Sequence, residues 1–191
     1  LLTSEMGNNE KLVYYLGICK QMGLPILPPD VNESFSNFTA VKDKIRFGLV
    51  GIKNVGENAV NKIIEERDEN GKFSDFRDFV MRVPVCALNS RLLEALIKAG
   101  AFDSLGVYRS RLMQIMPEAL EMACHYQKEK NSGQMSFFDV MQGNSNSLDS
   151  YQDLKYPEIP PWNDKEKLQY EKKFIGFYVT GHPLNGCDVD L

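Results

Sequence analysis

A turn bounded by glycines and followed by an amphipathic helix is the feature that most constrains how this chain folds. Gly51 and Gly56 bracket a four-residue segment that is apolar at both ends, and a helical pattern begins directly after it. In that pattern Val60, Ile63 and Ile64 recur at the spacing of one helix face. Gly56 stands where a tight turn needs a positive φ or a close approach of the backbone. The sequence therefore predicts a helix that projects from a tight loop.

The start of this helix has the properties of an anion-binding site. The first N–H groups of a helix lack partners within it and lie at the positive end of its dipole. Phosphate is the obvious ligand for such amides, and a phosphate contact positions a protein on DNA without reading base sequence. The pattern resembles a helix-hairpin-helix DNA-binding element, although a glycine-rich turn that only packs two helices together is the alternative. The residues expected to bind DNA at this first turn are Gly51, Lys53, Asn54, Val55, Gly56 and Glu57.

Composition limits the class of protein and the strength of its binding. Of the 191 residues, 43% are hydrophobic and 25% charged, which is typical of a globular protein with a core. No apolar run is long enough to span a membrane, and the start lacks the charged region of a targeting segment. Because the chain opens without Met and inside what reads as a structural element, we expect an excised piece of a longer cytoplasmic chain. Four cysteines without C-x-x-C spacing favour reduced thiols over a zinc site.

The charge distribution favours DNA contact in the middle of the chain. The net charge is −4, but residues 42–130 hold 15 Lys+Arg and 13 Asp+Glu, a net +2, and the remainder holds 7 and 13, a net −6. This asymmetry is small. Any DNA contact should therefore be local and directed at the backbone, without a broad basic surface.

Helical patterns cover most of the chain, so the predicted fold class is mainly α with little β. Ser74 and Asn89 are the expected N-caps of the third and fourth helices, and a kink is expected at Pro117 of the fifth. Helices are predicted over residues 9–22, 57–67, 75–83, 90–99 and 109–128 and from residue 164 onward. A short strand is predicted near 35–40, and residues 44–49 fit either a second strand or the entry to the hairpin.

A second compact turn is predicted at residues 99–103. Together with the first turn it would make a tandem helix-hairpin-helix unit, in which Lys98 and Arg109 are candidate phosphate partners. As isolated charges these two side chains equally fit a solvated helix face.

Residues 131–161 differ in composition from the rest. Asn, Ser, Gln and Gly dominate, and three prolines stiffen the end, which indicates a flexible linker. Two adjacent aromatic residues lie inside it with no predicted helix or strand to bury them. An exposed apolar pair in a polar tether is typical of a docking peptide. The residues of this peptide are Gln134, Met135, Ser136, Phe137 and Phe138.

Several separated blocks together carry a family resemblance. In their order and spacing they resemble an internal segment of the alpha subunits of bacterial DNA polymerase III, the C-family replicative polymerases. The blocks are residues 1–6, 27–34, 45–48, 51–56, 92–103 and 176–184.

The resemblance implies a division of the chain. Residues 1–41 would complete the fingers region, and residues 42–130 would be the tandem helix-hairpin-helix region that grips double-stranded DNA. Residues 131–161 would be the linker with the motif that binds the sliding clamp, the beta subunit. Residues 162–191 would form a helix leading towards the next domain. Phe137 takes the position of the usual leucine in the clamp motif.

Catalysis is expected elsewhere in the parent chain. The family polymerises DNA with palm carboxylates that bind two Mg²⁺ ions, and in the family these carboxylates precede the matching segment. The resemblance therefore implies a parent polymerase that works with other replisome subunits, and a segment that needs no cofactor and is inactive alone. Near-paired aspartates at 149 and 153 and at 188 and 190 fit a solvated linker better than a metal site.

Two other functions fit a helix-hairpin-helix sequence. A DNA repair glycosylase or lyase would need a catalytic Asp or Lys shortly beyond the hairpin and a base-flipping pocket, whereas the helix after Gly56 is an ordinary amphipathic one. A helical protein-interaction module without a DNA role is the second alternative. The sequence leaves open whether the parent is the main replicative polymerase or an error-prone paralogue.

Overall fold

The computed structural model of the chain describes residues 9–132 and 154–181, and it is mainly helical in both ranges. The mainly α fold with little β that the sequence predicts is confirmed. The helices are α1 (Asn9–Gln21), α2 (Glu57–Asn70), α3 (Phe76–Arg82), α4 (Ser90–Ala99), α5 (Arg109–Ser132) and α6 (Asp164–Phe174). The strands are β1 (Ile26–Leu27), β2 (Thr39–Val41) and β3 (Lys44–Arg46), and single 3₁₀ turns cover Leu49–Gly51 and Asp103–Leu105.

A small sheet leads the chain into the first turn. Its strand order is β1-β3-β2, with β3 parallel to β1 and antiparallel to β2. Beyond β3, Leu49 and Val50 donate their N–H groups to the carbonyls of Phe35 and Ser36. Gly48 makes this approach possible, because a Cβ at Gly48 would lie 2.6 Å from the Ser36 carbonyl oxygen. The entry to the first turn is therefore fixed by backbone contacts.

The helix starts follow the predicted capping chemistry, with one shift. Asn89 caps α4 as predicted, since its side chain accepts the Leu92 N–H at 2.8 Å. The predicted Ser74 cap is wrong, because Asp75 caps α3 and accepts the Asp78 N–H at 2.8 Å. The Asp75 carboxylate caps the helix in the way that the Ser74 hydroxyl was expected to, one residue later in the chain.

One core joins the N-terminal sheet region, the helices and the C-terminal segment. At its centre the Phe102 ring packs edge-to-face on Phe76 and Phe79, with centroids 5.1 and 4.9 Å apart, which is a favoured aromatic geometry. Val31 and Phe174 are buried in the same cluster. Residues from both ends of the described chain therefore stabilise the middle.

The described end of the predicted linker is held along α5. Ser110 donates its hydroxyl to the Pro160 carbonyl at 2.8 Å, and Arg111 donates Nε–H to the Ile159 carbonyl at 3.1 Å. Leu154 is buried in the core. At these positions the chain differs from a flexible tether, because α5 supplies donors to carbonyls of a proline-rich segment that forms neither helix nor strand. The predicted clamp peptide at 134–138 lies outside the described residues.

Gly48 provides a test of this packing. The Gly48→Ala substitution should destabilise the protein by about 1–3 kcal/mol, because the new methyl group would overpack against rigid backbone. The matched control is Gly56→Ala, where an added Cβ meets no atom within 4 Å. Urea unfolding midpoints measure both variants, and equal midpoints would show that the contact at Gly48 relaxes without cost.

Candidate nucleic-acid interface

The first turn, residues 51–57, buries its apolar side chains and exposes its polar ones. Ile52 and Val55 are only 1% and 7% exposed and belong to the common core. Lys53, Asn54 and Gly56 are exposed. Since the apolar side chains point into the core, the polar edge of the turn faces solvent.

The positive φ of this turn lies at Asn54 and not at Gly56. Asn54 has a φ of 69°, and asparagine tolerates the left-handed region better than most residues. Gly56 has a φ of −84° and a ψ of 145°, which is extended backbone. The expectation of a positive φ at Gly56 is therefore wrong. Gly56 instead leaves open space in front of the start of α2.

Four amides of the first turn are used inside the protein. Gly51 and Ile52 donate their N–H groups to the Gly48 and Leu49 carbonyls, both at 3.1 Å, so the Gly51 amide is not free for DNA. Val55 donates its N–H to the Ile52 carbonyl at 3.1 Å, and Lys53 donates its N–H to the Phe174 carbonyl at 2.8 Å. The expected role of the Val55 amide in binding DNA conflicts with this internal bond.

The amides that follow are open. The first N–H groups of α2 that bond within the helix are those of Ala59 and Val60, both to the Gly56 carbonyl. Within the described part of the chain, the N–H groups of Gly56 and Glu57 have no acceptor. Both residues are exposed. The start of α2 therefore presents free donors at the positive end of a 14-residue helix.

The second turn, residues 99–103, is used internally. Gly100 adopts a φ of 82° and donates its N–H to the Ile97 carbonyl at 3.0 Å. Ala101 and Phe102 are buried, and the Ala101 carbonyl accepts the Val31 N–H at 2.9 Å. The second turn thus secures the N-terminal segment to the core and does not repeat the open geometry of the first.

Arg109 lies in an interior ion-pair network. Its side chain is only 6% exposed, with Nη2 2.5 Å from an Asp103 carboxylate oxygen and 3.3 Å from a Glu171 oxygen. Burial alone would lower the pKa of Arg109, but the hydrogen bond and charge of Asp103 and the charge of Glu171 outweigh it and raise this pKa. This interior position differs from the surface position that a phosphate contact requires, so Arg109 does not belong to the exposed surface around the first turn.

Lys98 also has partners within the protein. Its ammonium lies 2.5 Å from a Glu94 carboxylate oxygen and sits over the rings of Tyr170 and Phe174, at 4.9 and 5.8 Å from their centroids. These contacts place the Lys98 side chain against α6.

Glu171 is a structural residue that no local sequence pattern indicates. Its carboxylate is 1% exposed and accepts the N–H groups of Val179 and Thr180 at 3.0 and 3.1 Å, in addition to Arg109. Arg109 is 62 residues away in sequence. Glu171 therefore ties α5, α6 and the segment after α6 together.

Potential metal ligands are dispersed in the part of the chain that the structure describes. Within residues 9–132 and 154–181, no three His, Cys, Asp or Glu side chains converge. A cavity of about 1040 Å³ lies between the start of α5 and α6. Two carboxylates lining it, Asp103 and Asp164, pair with Arg109 and Lys167.

Within residues 9–132 and 154–181, no helix combines the length and apolar character that crossing a membrane requires.

Known proteins are similar to this chain over nearly its whole length. Residues 23–112, which include both turns, match the helix-hairpin-helix motif family. Proteins named DNA polymerase III subunit alpha are 40% identical over 186 residues in Mycobacterium tuberculosis (strain CDC 1551 / Oshkosh), 39% over 184 in Borreliella burgdorferi and 36% over 187 in Vibrio cholerae. The matches cover 96–97% of this chain, and the chain spans 16% of the length of each of these relatives.

The Glu171 network can be tested by an isosteric change. The Glu171→Gln substitution should lower the free energy of unfolding by about 1–3 kcal/mol, because the amide NH₂ would face the donors that the carboxylate accepts and Arg109 would lose one of its charge partners. Glu65→Gln is the matched control, since it removes only an exposed pair with Lys62 and should cost below about 0.5 kcal/mol. Urea titrations compare the two, and a similar cost for both would contradict the buried role of Glu171.

Proposed function

Because the chain is homologous over nearly all of its length to a segment of the DNA polymerase III alpha subunits, we propose that it holds double-stranded DNA by the backbone and docks on the sliding clamp. The parent chain, in this proposal, is a bacterial DNA-directed DNA polymerase that acts in the cytoplasm with other replisome subunits and uses Mg²⁺ bound outside this segment. The segment alone should not polymerise.

The open start of α2 is the observation that carries the DNA-binding proposal. A phosphate oxygen would accept the N–H groups of Gly56 and Glu57, and the exposed Lys53 ammonium would add a positive charge beside it. Glu57 contributes through its amide, and its carboxylate turns to solvent. Nothing in this contact touches a base edge, so the grip is independent of sequence, as a polymerase that moves along its template requires.

Such a grip is weak on its own. A few phosphate contacts give non-specific dissociation constants on the order of 10⁻⁴–10⁻⁶ M, and the affinity falls by about 0.9 log unit per phosphate for each tenfold rise in salt. Weak binding of this kind lets a protein slide along DNA.

The clamp proposal rests on the sequence of residues 134–138. Phe137 and Phe138 would insert into an apolar pocket of the clamp, and Gln134 would donate hydrogen bonds at its rim, with Met135 and Ser136 between them. A peptide of this length buries less area than a standard interface, so micromolar affinity is expected. On one chain, each weak contact raises the effective concentration of the other. Together they would keep the polymerase on DNA.

Gly56→Val tests the role of the first turn. The backbone angles of Gly56 suit a β-branched residue, so the protein should fold, but the side chain would shield the open amides. We expect duplex affinity to fall about tenfold, equivalent to about 1.4 kcal/mol, in anisotropy titrations with a labelled duplex of arbitrary sequence. Gly17→Val is the control, because Gly17 also has open space around it and lies in α1. Unchanged affinity in a folded Gly56→Val protein would mean that the hairpin is only structural.

The clamp peptide is tested by replacing its aromatic pair. Phe137→Ala combined with Phe138→Ala should abolish capture by the immobilised sliding clamp, because the two rings supply most of the buried area. Val140→Ala with Met141→Ala, an apolar pair just after the peptide, is the control and should leave capture intact. Retention of the aromatic double variant by the clamp would rule out this docking site.

A further inference from the structure

The last turn of α6 lies directly against the first turn. The Phe174 carbonyl accepts the Lys53 N–H at 2.8 Å. Phe174 is 4% exposed, and both it and Ile175 belong to the common core. The end of α6 and the first turn are therefore held in a fixed relation, although they are far apart in sequence.

Two lysines project from this last turn of α6. Lys172 and Lys173 are exposed, and neither is paired with a carboxylate of the described chain. The Lys173 ammonium lies 5.4 Å from the centroid of the Phe174 ring, and the Lys172 ammonium lies 5.5 Å from that of the Tyr178 ring. Positive side chains here offset the negative end of the helix dipole, so the helix terminus beside the first turn carries two positive charges.

The hydrogen bond between Lys53 and Phe174 brings the lysine-bearing turn of α6 next to the first turn. The Lys173 Cα lies one peptide unit, about 3.8 Å, from that of Phe174, whose carbonyl bonds to the first turn. A lysine carries its charge on a flexible four-carbon stem. Successive phosphates of one DNA strand are about 3.4 Å apart along the helix axis. A DNA strand held at Gly56 that ran on past Lys53 would therefore bring its neighbouring phosphates towards the α6 lysines.

We infer that Lys172 and Lys173 bind the phosphates that flank the one held by the first turn, so that the duplex-binding surface combines the first turn with the last turn of α6. This inference rests on the proposed function, because its ligand is the same double-stranded DNA. The basic surface is thus assembled from two segments separated by most of the chain, and residues 162–191 supply DNA contacts as well as a connection.

Two lysine pairs on one helix make a matched comparison. Lys172→Gln with Lys173→Gln removes two charges at the end of α6 and leaves polar, flexible side chains in their place. Lys165→Gln with Lys167→Gln also removes two positive charges, but from the first turn of α6. Binding of a labelled duplex of arbitrary sequence is measured by anisotropy over a series of salt concentrations, and circular dichroism checks the fold of each variant.

The expected result separates direct contact from general charge. The Lys172/Lys173 variant should bind about tenfold more weakly, and the slope of log affinity against log salt should become shallower by about 0.9 for each phosphate that the protein no longer neutralises. The Lys165/Lys167 variant should keep the wild-type slope and stay within about twofold in affinity. Lys172→Arg with Lys173→Arg should restore binding, because arginine also pairs with phosphate.

Three outcomes would overturn the inference. An unchanged slope in a folded Lys172/Lys173 variant would show that these lysines only stabilise the helix end, and equal losses for both pairs would show a general charge effect. In either case a loss of affinity in Gly56→Val would leave the proposed function standing. If the unsubstituted protein did not bind the duplex at all, the proposed function itself would fail together with the inference.

Discussion

Burial of Ile52 and Val55 is the constraint on which the proposed interface depends. With these two side chains fixed in the core, the side chains of Lys53 and Asn54 between them face solvent, and so does Gly56 directly after them. Exposure of unpaired N–H groups is tolerated there because water or an anion satisfies them. The burial of apolar side chains thus determines that the N–H groups at the start of α2 face solvent. No side chain is needed to orient these N–H groups.

The two turns show how the same local pattern serves different ends. The first turn keeps its donors at the helix start free, whereas the second turn uses its backbone groups to bond Val31 and its own helix. The guanidinium group of Arg109 packs directly on Gly100 of the second turn. A Cβ added at Gly100 would lie 2.6 Å from the guanidinium carbon. A glycine at a helix end can therefore leave an open surface, as Gly56 does, or make room for a charged side chain that packs on it, as Gly100 does.

Arginine in this protein is mainly an internal connector. Arg67 is buried and donates to the Val31 and Ser34 carbonyls, and Arg82 joins α2 to α3 through Glu66 and Asp78. Arginine suits this use because its planar fork satisfies several acceptors at once. The small positive balance counted over residues 42–130 therefore overstates the basic surface of that region.

Local sequence patterns were enough to predict the helices, the Asn89 cap, the mainly α class and the location of a turn with exposed donors, because these depend on periodicity and on residues within a few positions of each other. The position of the positive φ, at Asn54 rather than Gly56, was not predictable, since both residue types accept turns. Only the folded chain could reveal that Arg109 is interior, that Glu171 is buried and that Phe174 bonds to Lys53. Each of these depends on partners distant in sequence, which are brought together only when the common core forms.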